Sequence, residues 1–210
     1  MNRVLYIKAS PRTDRSYSIA VADAFVDSYR RTHPGDEIRT IDIFQVELPA
    51  FDYSGATAKY KVMHAEGHTK EDQEVWARIV SVIEEFKSAN KYIMAVPMWN
   101  FSIPYRVKQY IDVIVQPTYT FSVTKDGNYE GLVKDKLLFI AYARGGTYEP
   151  GTNTEAFDMQ KQYLELIMSF IGLSDIRSVV VEPTLAGGPD VAGQRCEEAI
   201  ARARQIAEEF

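Results

Sequence analysis

Cysteine is nearly missing from this chain of 210 residues: Cys196 stands alone, so no intrachain disulfide can form. Histidine is almost as scarce. His33, His64 and His68 are scattered, which excludes a cysteine-rich zinc site. There is no surplus of positive charge either. Lys and Arg number 24 against 29 Asp and Glu, and the resulting net charge of −5 argues against nucleic-acid backbone binding as the main task. The longest apolar stretches, such as residues 137–143, are of strand length, far below the roughly 20 residues a membrane helix needs. The early run Val4-Leu5-Tyr6-Ile7 is too short for a cleaved secretion signal. The expectation is a cytoplasmic protein with neither nucleic acid nor membrane as partner. Several reaction motifs are also lacking: there is no G-x-G-x-x-G, Walker A, H-E-x-x-H, G-x-S-x-G or C-x-x-C. Dinucleotide clamping, phosphoryl transfer, zinc hydrolysis and serine hydrolysis therefore lose ground.

What is present is ordinary globular composition, 46% hydrophobic and 25% charged. Short β-branched runs at 3–9, 37–43, 91–96, 136–143 and 176–182 alternate with longer segments of helical periodicity. Five strands and five helices without an internal repeat predict an α/β fold: one flavodoxin-like domain over residues 1–210, with a doubly wound parallel sheet in the order 2-1-3-4-5 and helices on both faces. Residues 71–89 set Val75, Trp76, Ile79, Val80, Ile83 and Phe86 on one stripe, with Thr69 as N-cap. The last helix follows Gly187-Gly188-Pro189 and places Cys196 on its apolar face as a core residue. Two stretches exceed the minimum: 51–68, rich in Tyr, Gly and His, and 117–133, which reads as a hairpin around Lys125-Asp126-Gly127-Asn128. Such additions commonly wall a site. His64 and His68 would suggest two metal ligands only on a helix; with Gly67 between them they are read as solvated loop residues.

In an open α/β sheet, ligands bind beyond the carboxyl ends of the strands. After the first strand, Ser10 and the turn Ser16-Tyr17-Ser18 offer hydroxyls and helix-terminal amides to a phosphate, with Arg12 and Arg15 as counter-charge. An ordinary cap by Ser16 is the alternative. After the third strand, Met98, Trp99, Asn100 and Phe101 offer an apolar bed and backbone donors to a flat ring, or simply a hydrophobic cluster before a helix that starts near Pro104. After the fourth, Ala143, Arg144, Gly145 and Gly146 supply a guanidinium and glycines that permit close approach or positive φ, or an ordinary strand-ending turn. The coincidence of phosphate seat, aromatic bed and electropositive edge on adjacent strands favours a mononucleotide flavin.

At these residues the chain resembles the FMN-dependent NADH-azoreductase family, quinone reductases of flavodoxin-like fold. The likeness includes Val4 to Lys8 with Ser10, Ser16 and Ser18, Pro97-Met98-Trp99-Asn100-Phe101, Thr120-Phe121, Gly131-Leu132-Val133, Ala143-Arg144-Gly145-Gly146 and Phe170-Ile171-Gly172. The resemblance implies that Ser10 and Ser16 to Ser18 hold the FMN phosphate, Met98 to Phe101 the isoalloxazine and Ala143 to Gly146 its pyrimidine edge. It also implies an acceptor pocket walled by Phe121 and Ile167, and a homodimer with two sites at the subunit interface. Tyr17 stands where the family often has glutamine, and Ala143 where it usually has serine, which removes a hydroxyl from the flavin's surroundings.

The implied chemistry is two-electron hydride transfer: NADH or NADPH reduces the flavin, leaves, and is replaced by a quinone or azo compound in a ping-pong cycle. The flavin carries the chemistry, so no catalytic side chain is assigned, and neither Tyr119 nor His64 is singled out as proton donor. Two other readings compete: a flavodoxin-type electron carrier, against which the two additions and the modest negative charge argue, and an FMN-binding regulatory protein.

Overall fold

In the computed structural model, which describes residues 1–64 and 67–210, the chain runs β1 (Arg3–Lys8), α1 (Tyr17–Thr32), β2 (Glu37–Asp42), α2 (Tyr53–His64), α3 (Lys70–Lys87) and β3 (Lys91–Pro97). It continues through α4 (Tyr105–Ile114), β4 (Phe121–Val123), β5 (Tyr129–Gly131), β6 (Leu137–Ala143), α5 (Lys161–Phe170), β7 (Asp175–Val181) and α6 (Gly188–Glu208). The main sheet has the order β2-β1-β3-β6-β7 with every pair parallel. With the β4–β5 hairpin set aside, this is the order 2-1-3-4-5 expected from the alternation of strand and helix.

Parallel strands buried on both faces need apolar residues at successive positions, and the sequence supplies them. Val4 and Tyr6 of β1, Ile93 and Ala95 of β3, and Phe139 and Ala141 of β6 pack under α1 and α6. Their neighbours Leu5, Ile7, Met94, Val96, Leu138 and Ile140 face the opposite layer, which draws on α3, α4 and α5. Each such large side chain contributes about 1.5–3 kcal/mol through burial. Cys196 is buried on the sheet side of α6 beside Ala192, Ala199 and Ala203.

The segment 51–68 departs from expectation. It holds a sixth helix, α2, rather than a loop. Only Gly55 and Ala58 of α2 are buried, and a Cβ on Gly55 would stand 2.9 Å from the carbonyl oxygen of Ala50. The larger apolar contacts of α2, Val62 and Met63, are only partly buried and come in its last turn, so the helix carries no long apolar stripe and its periodicity is hard to read from the pattern. His64 ends α2, its Nδ1 2.9 Å from the Tyr60 carbonyl oxygen. His68 lies beyond the helix, so the two share no helical face. Residues 65 and 66 of this segment lie outside the described residues.

The hairpin forms as expected, with β4 and β5 antiparallel. Its position matters more. Helices α4 and α5 each return the chain from the carboxyl to the amino ends of the strands. The hairpin follows α4 and is fastened where α5 ends: Val133 N–H donates to the Ile171 carbonyl at 2.8 Å. Gly131 makes the junction feasible. A Cβ there would lie 2.4 Å from the Gly172 nitrogen, a separation no side chain survives.

Candidate functional site

The carboxyl ends of β1, β3 and β6 are adjacent. Ala9 N–H donates to Ala95 O at 3.0 Å and Met98 N–H to Ala143 O at 2.8 Å, so the loops that follow stand side by side where a doubly wound sheet forms its ligand crevice. On the first loop, Ser10, Ser16 and Ser18 are all buried. Ser16 is the N-cap of α1, its Oγ accepting from Ile19 N–H at 3.4 Å and standing 3.1 Å from Ser18 Oγ. The cap is present, yet it leaves the terminus unfinished. The amides of Tyr17 and Ser18 donate to no group of the described protein, and the first turn of α1 holds no acidic residue. A helix terminus with bare N–H groups and about half a positive charge is a seat for an anion from outside.

The loop after β3 turns through Trp99 to Ser102, which exchange N–H···O bonds of 2.9 and 3.0 Å. Its two central residues, Asn100 and Phe101, have φ of 48° and 68°. For a residue with a bulky side chain the left-handed region costs about 1–2 kcal/mol, and strain held in this way marks a turn whose shape matters. The turn sends its aromatics apart. Trp99 leans on Phe44 and Tyr105, with centroids 5.8 and 6.3 Å away, while Phe101 meets Phe157 at 5.0 Å and Tyr148 at 6.2 Å. The amides of Asn100 and Phe101 make no bond to the described protein. Both alternatives for this loop are therefore present together: a hydrophobic cluster leads into α4 after Pro104, and free donors line the turn.

After β6 the amides of Gly145, Gly146 and Thr147 are equally bare. Neither glycine adopts positive φ, so the conformational use of the pair falls away and clearance remains. A Cβ on Gly145 would meet Leu185 Cδ1 at 3.0 Å, and one on Gly146 would meet the Tyr148 hydroxyl at 3.3 Å. The Ala143 side chain belongs to the core on the α1 and α6 face. Arg144 corrects the electropositive edge. Its guanidinium is buried, 2.8 Å from Asp158 and 3.4 Å from Glu182, and it supplies no exposed charge. Two carboxylates are close enough to draw it inward, and the edge is left to backbone N–H groups alone. Tyr142, under Arg144, has no partner for its hydroxyl among the described residues, and burial holds its acidity well below that of an ordinary phenol.

Phe121 and Ile167 are not part of this crevice. Phe121 stands on the hairpin at the amino ends of the strands, 4.9 Å from Phe170 and 6.0 Å from Tyr129. Ile167 packs one turn before Phe170 against the core. Nothing in the sequence pointed to Asp158, Gln160 and Glu182, the partners of Arg144, because they stand 14 to 38 residues away from it. Nor did it mark Tyr148, Phe157 and Met159 as the crevice's outer lip; Met159 N–H donates to Phe101 O at 3.0 Å.

An anion seat, a turn with aromatic flanks and a glycine edge of free amides fit the phosphate, the ring faces and the heteroatom edge of a flavin mononucleotide, and together they define a mononucleotide-binding protein of the doubly wound class. The chain belongs to the family described as flavodoxin-like fold, which it matches over residues 2–207. It is 50% identical, over the full length of both chains, to an FMN-dependent NADH:quinone oxidoreductase of Nitratidesulfovibrio vulgaris (strain DP4). It superposes with a TM-score of 0.92 on the crystal structure of an azoreductase from Bacillus anthracis, 28% identical, with all of both chains covered. An FMN-dependent NADH-azoreductase of Bacillus anthracis, solved in complex with FMN, gives a TM-score of 0.87 at 30% identity over 99% of this chain and 100% of that one.

Proposed function

We propose that this chain is an FMN-dependent oxidoreductase that takes a hydride from NADH and passes two electrons to quinones or azo compounds, working as one FMN-binding domain over residues 1–210. The observation that carries the proposal is the unfinished N-terminus of α1, with two free amides and three buried hydroxyls beside it. Bound FMN supplies the capacity to accept a hydride and release two electrons. Ser10, Ser16, Tyr17 and Ser18 hold its phosphate. Met98, Trp99, Asn100 and Phe101 flank the ring and donate from the backbone, and the amides at 145–147 meet the edge where charge develops on reduction. Arg144 lies buried behind that edge and anchors the start of the turn that carries it. The protein orients donor and acceptor in turn over one ring face, which is the physical content of a ping-pong cycle.

Dimerisation completes the same proposal. The crevice has an exposed apolar lip of Phe101, Phe157 and Met159, while Tyr129, Val123 and Leu132 are exposed on and beside the hairpin at the other end of the molecule. One chain cannot bring these surfaces together; two copies related by a twofold axis can. The hairpin of one subunit, with Phe121 and Phe170, then walls the crevice of its partner, with Ile167 behind them. We place the enzyme in the cytoplasm; no helix among the described residues is long and apolar enough to cross a membrane.

The test is the visible spectrum of the purified protein with added FMN, followed by steady-state NADH oxidation with a quinone and by sedimentation. A yellow complex that turns over rapidly at twice the chain mass is expected. A protein that stays colourless removes the proposal, and one that binds FMN but oxidises NADH only slowly is an electron carrier or a regulator instead.

A further inference from the structure

Behind the Gly145-Gly146 turn lies a charged cluster that holding a flavin does not by itself require. Arg144 is 3% exposed. Its Nη2 lies 2.8 Å from Asp158 Oδ2, its Nη1 3.4 Å from Glu182 Oε2, and its Nε donates to Gln160 Oε1 at 3.0 Å. One guanidinium with two carboxylates leaves a formal surplus of one negative charge in a buried place. Packing alone would be served better by a neutral set, because a buried net charge is costly.

The surplus is spread over backbone groups of the crevice. Glu182 Oε2 also accepts from Tyr148 N–H at 3.0 Å, and Asp158 Oδ1 from Lys161 N–H at 3.0 Å. Gln160 donates to Val96 O at 3.0 Å. The cluster thus joins the ends of β3, β6 and β7 to the start of α5. The turn between Arg144 and Tyr148, which carries the three bare amides, is held at both of its ends by the single carboxylate of Glu182.

We propose that Glu182 is a positioning residue that holds the 145–147 amides in register, and that the surplus negative charge of the Arg144–Asp158–Glu182 cluster lowers the reduction potential of a flavin seated on them. The proposal rests on the FMN assignment above. A flavin edge gains negative charge on reduction, so a fixed negative charge behind its seat disfavours the reduced form. A lower potential makes the reduced cofactor a stronger donor to quinone and azo acceptors.

The experiment compares FMN complexes of the wild type, Glu182→Gln, Asp158→Asn and Glu182→Ala by midpoint potential and by FMN dissociation constant. Glu182→Gln removes the charge and keeps an oxygen that accepts from Tyr148. Its reduced-to-oxidised ratio at a fixed potential is expected to rise roughly tenfold, which for a two-electron couple is about 30 mV, while FMN affinity stays close to wild type. Asp158→Asn shifts the potential in the same direction. Glu182→Ala also loses the acceptor, and FMN binding weakens by roughly tenfold or more. A merely structural staple would weaken FMN in all three variants without moving the potential. Wild-type potentials in both Glu182→Gln and Asp158→Asn overturn the tuning role, and wild-type FMN affinity in Glu182→Ala overturns the positioning role. Should Glu182→Ala not fold, a weakened FMN complex in Glu182→Gln despite its retained oxygen overturns positioning through that acceptor. A wild type that binds no FMN sinks the cofactor assignment itself, a result separate from any variant.

Discussion

Two helices begin at the same end of the sheet, and they treat their N-termini in opposite ways. Helix α3 closes its own: Thr69 Oγ1 accepts from Asp72 N–H at 3.1 Å, and the Asp72 carboxylate accepts from Thr69 N–H at 2.9 Å and from Lys61 at 3.0 Å. It carries Glu71 and Asp72 in its first turn, so the helix dipole meets an anion of its own chain. Helix α1 has one serine cap, no acid in its first turn and two unused amides. The difference separates a terminus built for stability from one that is left for a ligand.

The sharpest way to break that contrast is to give α1 its own anion. Tyr17→Glu places a carboxylate at the first helical position. The FMN dissociation constant is expected to rise by a factor equivalent to about 3 kcal/mol, from lost attraction and like-charge repulsion. The free protein should gain about 0.3–1 kcal/mol of stability at low ionic strength. Tyr17→Gln, similar in shape but neutral, should bind FMN like the wild type. Fluorescence titration with FMN and thermal melts of the apoprotein check both halves. Ser18→Ala is the next step down. Among the described residues its hydroxyl meets only Ser16 Oγ, so stability should change little. Loss of one hydrogen bond to a phosphate should cost about 2 kcal/mol of FMN binding. A Ser18→Ala protein with wild-type affinity would place the phosphate elsewhere.

The same contrast shows how far the sequence could be read. The α3 box was legible because Thr69 and Asp72 are three residues apart, and the sheet order because β-branched runs alternate with helical ones. The seat at α1 was legible as hydroxyls, though what makes it a seat is the absence of an acid and of partners for two amides, which residue names do not announce. Helix α2 was hidden because the residues it buries fully, Gly55 and Ala58, are small and make no apolar stripe. The left-handed pair Asn100 and Phe101 was hidden because neither is glycine. Arg144 was read as an exposed charge because its partners Asp158, Gln160 and Glu182 lie 14 to 38 residues further on, and Phe121 was placed beside the crevice because residue names do not say at which end of the sheet the hairpin is fastened.

Gly145 tests a milder form of the difference between the two kinds of terminus. Gly145→Val directs its Cβ at the tip of Leu185, a side chain that is 75% exposed and free to move. The fold should tolerate it. A ligand resting on the 145–147 amides should not, and FMN binding is expected to weaken by about 1 kcal/mol, measured by the rate of flavin release. Unchanged retention would mean that the ring does not approach this turn closely.

The smallest effect is a matter of pH and belongs to α3. The Asp72 carboxyl is held at about 2, foremost by the Thr69 backbone N–H and then by Lys61 and the Thr69 hydroxyl. A carboxyl that ionises more readily in the folded chain than in the unfolded one, where its pKa is about 3.9, stabilises the fold at every pH above that value. That stabilisation declines as the pH falls below about 4 and is gone once the pH has passed below the folded value. Asp72→Asn should therefore melt below the wild type at pH 6, and the gap should close on acidification towards pH 2. No such closing gap is expected between Tyr17→Gln and the wild type, because the first turn of α1 has no acid to protonate. A gap at Asp72 that persists undiminished at pH 2 would show that the terminus of α3 is held by its hydroxyl alone.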